Sequence, residues 1–509
     1  MDFIFYLTLF LFISLFGAID NGIDYDFWAR LVVGKSFFQT GTLFNQDFYS
    51  YGTTHEFIDH EWGSSLIFYL LQDNFGDIGL YIFKTLMLCL TFFIITKIIK
   101  LEKNDAKLHF LFFYAGIQTI SVLIFSTIRC NIFSFIFFVL YLYLLKRIKK
   151  NQEYRLLWCL PVLNIIWANM HGGFAIGLML IAIFAFGEFL NNKKDNLWKL
   201  YSYTFLISCA TTLINPYGLN YIKFIFDAFI LNREHIMEWH SAFFTSELRG
   251  AHFKFILYFS IVFILFGYQI IKNSIQKGAK NYYNEIDKTK WLIIIFSSLI
   301  ALKALRCHTF FIFSILSLCY NDFYNIFNKQ LPKILDKAKA HILLYLIFIS
   351  FLSRINDFKF LNTSKEEIYP IYAAEFLKIN NIKGNVLANF HTGSYLAYKL
   401  YPNNYVYMDG RYEEVYDVDL INKMADIFLT INYKNILKKY HTDIIIIENN
   451  YPLKYALSID KNWAKAWEDE KFTLYLTKEK YKKTNYKQPS KDKNYYNKTK
   501  FETSIDWLK

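Results

Sequence analysis

Two aspartates stand two apart at Asp24 and Asp26. Carboxylates at that spacing can share a divalent cation, Mg or Mn, or one can take a proton while the other positions it. A lone D-x-D pair is common by chance. This one runs straight into Phe27-Trp28-Ala29-Arg30-Leu31, which tethers it at an apolar boundary. His60-Glu61-Trp62 opens a later helix, where His60 and Glu61 can orient a nucleophile or ligate a metal. The segment from His55 to His60 misses the zinc-protease motif H-E-x-x-H because its second His comes one residue late. His171 lies in Trp167-Ala168-Asn169-Met170-His171-Gly172-Gly173, and Asn215 opens Asn215-Pro216-Tyr217-Gly218. Glu238 belongs to a long polar loop. Arg306 and His308 close a short turn, where a cation suits a lipid-linked phosphate. Asp409-Gly410-Arg411, with Glu413 and Glu414, ends an expected strand, where α/β domains commonly face ligands. Each pattern also has a plain structural use as a helix start, a hairpin turn, a snorkelling cation or a polar turn. There is no Walker loop, no G-x-G-x-x-G and no G-x-S-x-G, so nucleotide and serine hydrolysis have no support.

The elements that must hold these residues are membrane helices. The chain has 509 residues, 54% hydrophobic and 20% aromatic, with 54 Phe and 19% charged residues. A mean hydropathy of +0.19 averages a greasy body with a polar C-terminal third. Apolar runs at 3–19, 78–99, 108–128, 131–145, 156–170, 173–190, 200–214, 253–271, 291–305, 309–320 and 342–352 give about eleven spans. The first reads as a retained helix, since it lacks a basic flank and a cleavage site. Six cysteines scattered through the apolar runs exclude a disulfide scaffold and read as buried small hydrophobes. The net charge of +13 does not mean nucleic acid, because the stretch from Lys478 onward supplies nearly half of it.

Lys clusters follow alternate helices, at 97–107, 146–150, 193–199, 272–280 and 333–339. The positive-inside rule then puts the N-terminus inside. The inside loops read as Lys/Asn/Glu filler, and nearly every unusual polar residue falls outside. Polar chemistry gathered on one side of a polytopic protein suggests one site at that face. Three parts follow: a polytopic domain over 1–353, with 20–72 as its first outer loop; an external α/β domain over 354–478; and a disordered Lys/Asn-rich tail over 479–509. The aromatics of the first loop suit short amphipathic helices on the membrane surface. In the external domain, strands are expected at 385–390, 404–408, 442–448 and 471–477, with helices at 369–379, 394–400 and 420–429.

The first-loop string D-Y-D-F-W-A-R-L-V-V-G-K, then G-T-L-F-N-Q-D-F-Y-S-Y and H-E-W, resembles bacterial polytopic proteins related to C-type (GT-C) membrane glycosyltransferases. That group carries D-x-D-x-W-W-H-L, H-E-W, N-x-H-G-G, N-P-x-G and a late G-G-Y-L…D-G-R block. This chain has H-T-G-S-Y-L-A-Y and M-D-G-R-Y-E in the last place. It departs twice: Ala29-Arg30 stands for W-H, and Gly393-Ser394-Tyr395 for G-G-Y.

The resemblance implies a mainly α-helical inner-membrane protein with a small extracytoplasmic C-terminal α/β domain. It implies transfer of a sugar from a polyprenyl-phosphate carrier to a glycan, lipid or protein acceptor at the outer face. Asp24 is then the expected general base, Asp26 its partner or a metal ligand, and Glu61 a further catalytic acid. His60, His171, Asn215, Glu238, Arg306, His308, Asp409 and Arg411 are expected substrate contacts. The competing readings are a non-catalytic envelope-assembly scaffold and a lipid-linked saccharide transporter or ligase.

Overall fold

The structure is a computed structural model that describes residues 2–19, 22–23, 25–43, 45–52, 56–104, 106–108, 110–125, 127–230, 237–243, 249–328, 368–411, 415–481 and 486–490. Asp24, Glu413, Glu414 and the expected span at 342–352 lie outside the described residues. The chain divides into two compact units. One comprises Met1–Asn21 with Tyr81–Phe360, the other Gly22–Leu80 with Leu361–Lys509.

The first unit is helical. It holds α1 (Asp2–Ile19) and the second half of α3 (Trp62–Glu102), followed by α4 (Phe110–Thr119), α5 (Ser121–Phe125), α6 (Asn131–Asn151), α7 (Cys159–Met170), α8 (Phe174–Asn191) and α9 (Leu197–Thr211). Then come α10 (Leu219–Ile230), α11 (Arg249–Lys277), α12 (Ala279–Glu285), α13 (Lys288–Lys303), α14 (His308–Leu318) and α15 (Tyr320–Asn328). Four of the described helices are long and apolar enough to cross a membrane: α3, α6, α8 and α11. The expected span at 108–128 is broken into α4 and α5.

Phenylalanine does much of the packing in this unit. Phe92 and Phe135 both meet Phe313 edge-on at 5.8 Å, and Phe138 meets Phe310 at 5.0 Å. Such edge contacts add to the burial of large apolar rings. The loops read as filler are tied together. Lys149 bridges Glu188 at 2.5 Å and Asp287 at 2.8 Å, and Lys290 pairs with Asp322.

The second unit contains α2 (Tyr25–Thr40), the first half of α3, and the C-terminal domain. That domain runs α16 (Ile371–Ile379), β1 (Gly384–Leu387), α17 (Phe390–Leu400), β2 (Asn404–Val406), α18 (Val418–Phe428), α19 (Tyr433–Lys439), β3 (Ile444–Glu448), α20 (Pro452–Ile459), β4 (Trp463–Glu468) and β5 (Phe472–Thr477). The sheet order is β2-β1-β3-β5-β4. β2, β1 and β3 are parallel, and β5 and β4 add antiparallel. The small α/β domain expected from sequence is present. Three of its elements, α19, α20 and β4, are additions to the sequence reading.

The first loop departs from expectation. Phe27, Trp28, Tyr49 and Phe57 are buried while Phe38 stays exposed, and the loop groups with the C-terminal domain, although the sequence reading placed it in the polytopic part. Phe27 through Gly34 of α2 are all buried. Val33 and Phe57 share one core with Leu387, Tyr407, Met408 and Tyr416. Residues 49–51 pair with the edge strand β2: Tyr51 N–H donates to Val406 O at 2.9 Å, and Val406 N–H to Tyr49 O at 3.1 Å. This covers a sheet edge that would otherwise display unpaired backbone groups. Of the expected tail, residues 479–481 and 486–490 are described, and Tyr486 packs on Phe376 at 5.3 Å.

Gly52 shows how close the loop lies. A Cβ there would sit 2.3 Å from the Tyr407 carbonyl oxygen. Backbone cannot rotate out of the way, so Gly52→Ala is expected to destabilise the unit by about 1–3 kcal/mol. Hydrogen exchange at β2 should rise in that variant. Unchanged protection there would show that the loop is not bound to the edge.

Candidate functional site

Each unit gathers its own set of chemical residues. In the second unit, Arg411 lies wholly buried between two equally buried aspartates. Its Nη2 is 2.7 Å from Asp47 Oδ1, and its Nε donates to Asp409 Oδ1 at 3.0 Å and Oδ2 at 3.1 Å. Tyr49 and Phe57 cover the guanidinium at 4.1 and 4.7 Å. Burial alone would lower the Arg411 pKa, but Asp409 and Asp47 outweigh it and hold the side chain charged. Arg411 and Asp409, expected to touch substrate, are thus an internal clamp joining residue 47 to the end of β2.

The segment beside this clamp lies against Asp26. An added Cβ on Gly410 would fall 2.9 Å from Asp26 Oδ1, and Gly410 N–H donates to Ser394 Oγ at 2.9 Å. Ser394 is where the resembled pattern has Gly, and its hydroxyl supplies that bond. Gly393 stays Gly because a Cβ would lie 2.2 Å from Met408 O. Asp26 itself is exposed.

Arg30 stands where the pattern has His. It is buried, ion-paired to Asp59, and its Nε lies 3.6 Å from Glu61 Oε2. His60 Nε2 is 3.7 Å from Glu61 Oε1, and Glu61 N–H donates to Asp59 Oδ1 at 2.9 Å. Glu61 is therefore flanked by Arg30 and His60.

A third group was missed by the sequence reading. β1 and β3 are adjacent, parallel, and connected onward in opposite directions across the sheet. At their C-terminal ends Asn389 Nδ2 donates to Glu448 Oε1 at 2.9 Å. The Asn389 side chain also caps α17, accepting from Thr392 N–H at 2.8 Å. His391 follows, with its ring 4.1 Å from that of Tyr25 and 3.8 Å from that of Phe390. The block H-T-G-S-Y marked His391 in sequence, but nothing local marked its partners.

In the helical unit, Glu238 pairs with Arg129 at 2.5 Å. Arg306 lies over the Trp239 ring at 4.7 Å. Burial would raise the Glu238 pKa, but Arg129 and Arg306 overcome it and hold the carboxyl below its usual range. Two guanidiniums around one carboxylate leave a net positive charge. Arg129, at a short turn, was not singled out from sequence.

The other expected residues of this unit serve local structure. Gly173 N–H donates to His171 Nδ1 at 3.0 Å, and Ser134 Oγ lies 2.7 Å from the same nitrogen. Asn215 closes its own turn, accepting from Tyr217 N–H at 2.7 Å. His308 is buried, stacked on Phe255 at 3.5 Å. Among the described residues, no three His, Cys, Asp or Glu side chains converge as a metal site.

The architecture can now be compared with known structures. The archaeal oligosaccharyltransferase AglB from Archaeoglobus fulgidus, solved with an inhibitory peptide and a dolichol-phosphate, superposes with a TM-score of 0.54 at 11% identity. That match covers 87% of this chain and 69% of AglB. ArnT from Cupriavidus metallidurans, solved bound to undecaprenyl phosphate, gives 0.50 at 10% identity, covering 92% of this chain and 97% of ArnT. The fold is that of the GT-C membrane glycosyltransferases. No protein-family model and no curated protein matches the sequence. The GT-C likeness is therefore one of fold, as the D-x-D, H-E-W and D-G-R blocks led us to expect.

Two outcomes test this description. Arg411→Gln strands Asp47 and Asp409 without a cation, and the expected loss is about 3–5 kcal/mol. Arg411→Lys should restore little, because one ammonium cannot reproduce the fork. Denaturant unfolding of the purified protein measures both. The second outcome concerns pH. Burial holds His391 down at about 4, against 6.5 in an open chain. The unfolded state therefore takes up a proton that the folded state refuses, and stability falls as pH drops from about 6.5 to about 4. His391→Gln should flatten that part of the stability profile.

Proposed function

We propose that the chain is an integral-membrane glycosyltransferase that moves a sugar from a polyprenyl-phosphate carrier to a hydroxyl-bearing acceptor at the outer face of the membrane. The observation that carries this reading is the Arg129–Glu238–Arg306 group, a cationic cluster in a helical unit of GT-C fold. The solved structures of that fold compared above hold dolichol-phosphate and undecaprenyl phosphate.

In the proposed reaction the acceptor oxygen attacks the anomeric carbon from the side opposite the phosphate. Asp24 takes the hydroxyl proton as the new C–O bond forms. The bond from the anomeric carbon to the phosphate oxygen breaks, and configuration inverts. Negative charge grows on the departing phosphate, and a carrier phosphate is what the cationic Arg129–Glu238–Arg306 group suits. Fixed cations aimed at developing charge are among the largest contributions an enzyme makes. Asp26 orients Asp24. Asp24 and Asp26 are also the oxygen ligands a Mg or Mn ion would use. Asp26 gains no third acidic or His neighbour suited to a metal among the described residues, so no step here is routed through a cation.

The test uses the full chain in lipid with a panel of polyprenyl-phosphate sugars. Asp24→Asn is expected to cut release of polyprenyl phosphate by about 10²–10⁴-fold while carrier binding persists. Unchanged turnover would remove Asp24 from the role of base. Arg306→Ala is expected to lower turnover by about 10²–10³-fold. Carrier binding without release by the wild type would replace the enzyme with the scaffold or transporter.

A further inference from the structure

The C-terminal domain is more than a cap on the first loop. In open α/β sheets, ligands bind beyond the C-terminal ends of parallel strands, where neighbouring connections diverge. That place here lies between β1 and β3. The connection after β1 passes through α17 to β2 on one side, while the chain after β3 turns through α20 toward β4 and β5 on the other. The residues gathered there are polar and partly exposed: Glu448, His391 and Tyr25, around the buried Asn389.

Their hydrogen bonds leave defined gaps. Asn389 caps α17 with its side-chain oxygen and fixes Glu448 Oε1 with its amide nitrogen. Glu448 Oε2 accepts no bond from the described residues, and His391 Nδ1 is buried without a partner. The Glu448 carboxylate is open to a hydrogen-bond donor, and the buried Nδ1 of His391 needs a polar partner, so a hydroxyl, which both donates and accepts, would satisfy the two. The rings of Tyr25 and Phe390 beside His391 offer apolar faces next to those groups. A few convergent polar groups against aromatic walls is how small-molecule sites are built. Glu448 and Asp26 make the surroundings acidic, so an anionic ligand is disfavoured. The D-x-D segment closes the arrangement: Tyr25 touches His391 after β1, and Asp26 touches Gly410 after β2.

We propose that the crevice between β1 and β3, with Glu448, His391 and Tyr25, binds a neutral or amine-bearing saccharide and presents its hydroxyls toward Asp26. This is the acceptor subsite of the transferase, and in that role it rests on the function proposed above. Binding itself does not depend on that function.

The experiment offers the full chain in lipid to an array of neutral, amine-bearing and uronic-acid oligosaccharides. Neutral or amine-bearing members are expected to bind. Glu448→Gln and His391→Ala should each weaken binding about tenfold, the loss of one hydrogen bond to a charged or buried group. Binding of polyprenyl phosphate to the same variants should stay unchanged, and unchanged hydrogen-exchange protection of β1 and β3 shows that their domain is folded. Preference for uronic acids, no effect of either variant, or no saccharide bound by a wild type that turns over carrier would each overturn the subsite. Saccharide binding that depends on Glu448, in a protein that never releases polyprenyl phosphate, would overturn the transferase and leave the subsite standing.

Discussion

A buried arginine between two buried aspartates governs the second unit. Three charges taken out of water cost several kcal/mol each unless they meet one another with good geometry. Asp409 and Arg411 come from the end of β2, but Asp47 comes from the far end of the sequence. The clamp is complete only when these segments fold together. The surrounding packing agrees. Val33 and Phe57 enter the domain core, and residues 49–51 close the sheet edge. Asp26, in the first turn of α2, therefore takes its position beside the α/β domain, through Gly410 and the neighbouring Tyr25.

That dependence explains what was legible in the sequence. Ile444–Ile447 is a β-branched run, and it reads directly as the central strand β3. Helices are expected at 394–400 and 420–429; the structure starts the first at Phe390, within what reads as strand, and runs the second over Val418–Phe428. The elements α19, α20 and β4 were silent because they are short, at 7, 8 and 6 residues. The first loop was misread for a different reason. Trp28, Tyr49 and Phe57 among acids fit a headgroup layer and a protein interface equally well. The choice is made by a partner more than 300 residues away, and no local pattern encodes that partner. The same holds for Glu448, an unremarkable end to a strand until Asn389 is placed against it at 2.9 Å.

The helical unit teaches a similar lesson about charge. Counting Lys and Arg along the chain sorts loops, and it treats the charges within them as interchangeable. The Lys149–Glu188–Asp287 group ties α6, α8 and the start of α13 together. Lys84 is buried and donates to the Phe125 carbonyl at 2.8 Å. Charge inside an apolar helix bundle persists only with a partner. Here the partners lie on other helices, so their pairing is a property of the bundle and not of any loop.

The replacement of His by Arg at position 30 divides chemistry from support. An imidazole can pass a proton near neutral pH, whereas a guanidinium stays charged throughout. Arg30 is committed to Asp59 and lies beside Glu61. Its positive charge is permanent, so it stabilises carboxylates but moves no proton. Position 30 therefore leaves proton transfer to other groups. The imidazole in contact with the D-x-D segment is His391, carried by the β1 end and kept neutral by burial. A neutral ring accepts a hydrogen bond without adding positive charge beside the acids. Asp26, next to Tyr25 in that segment, therefore gains no positive charge from the ring.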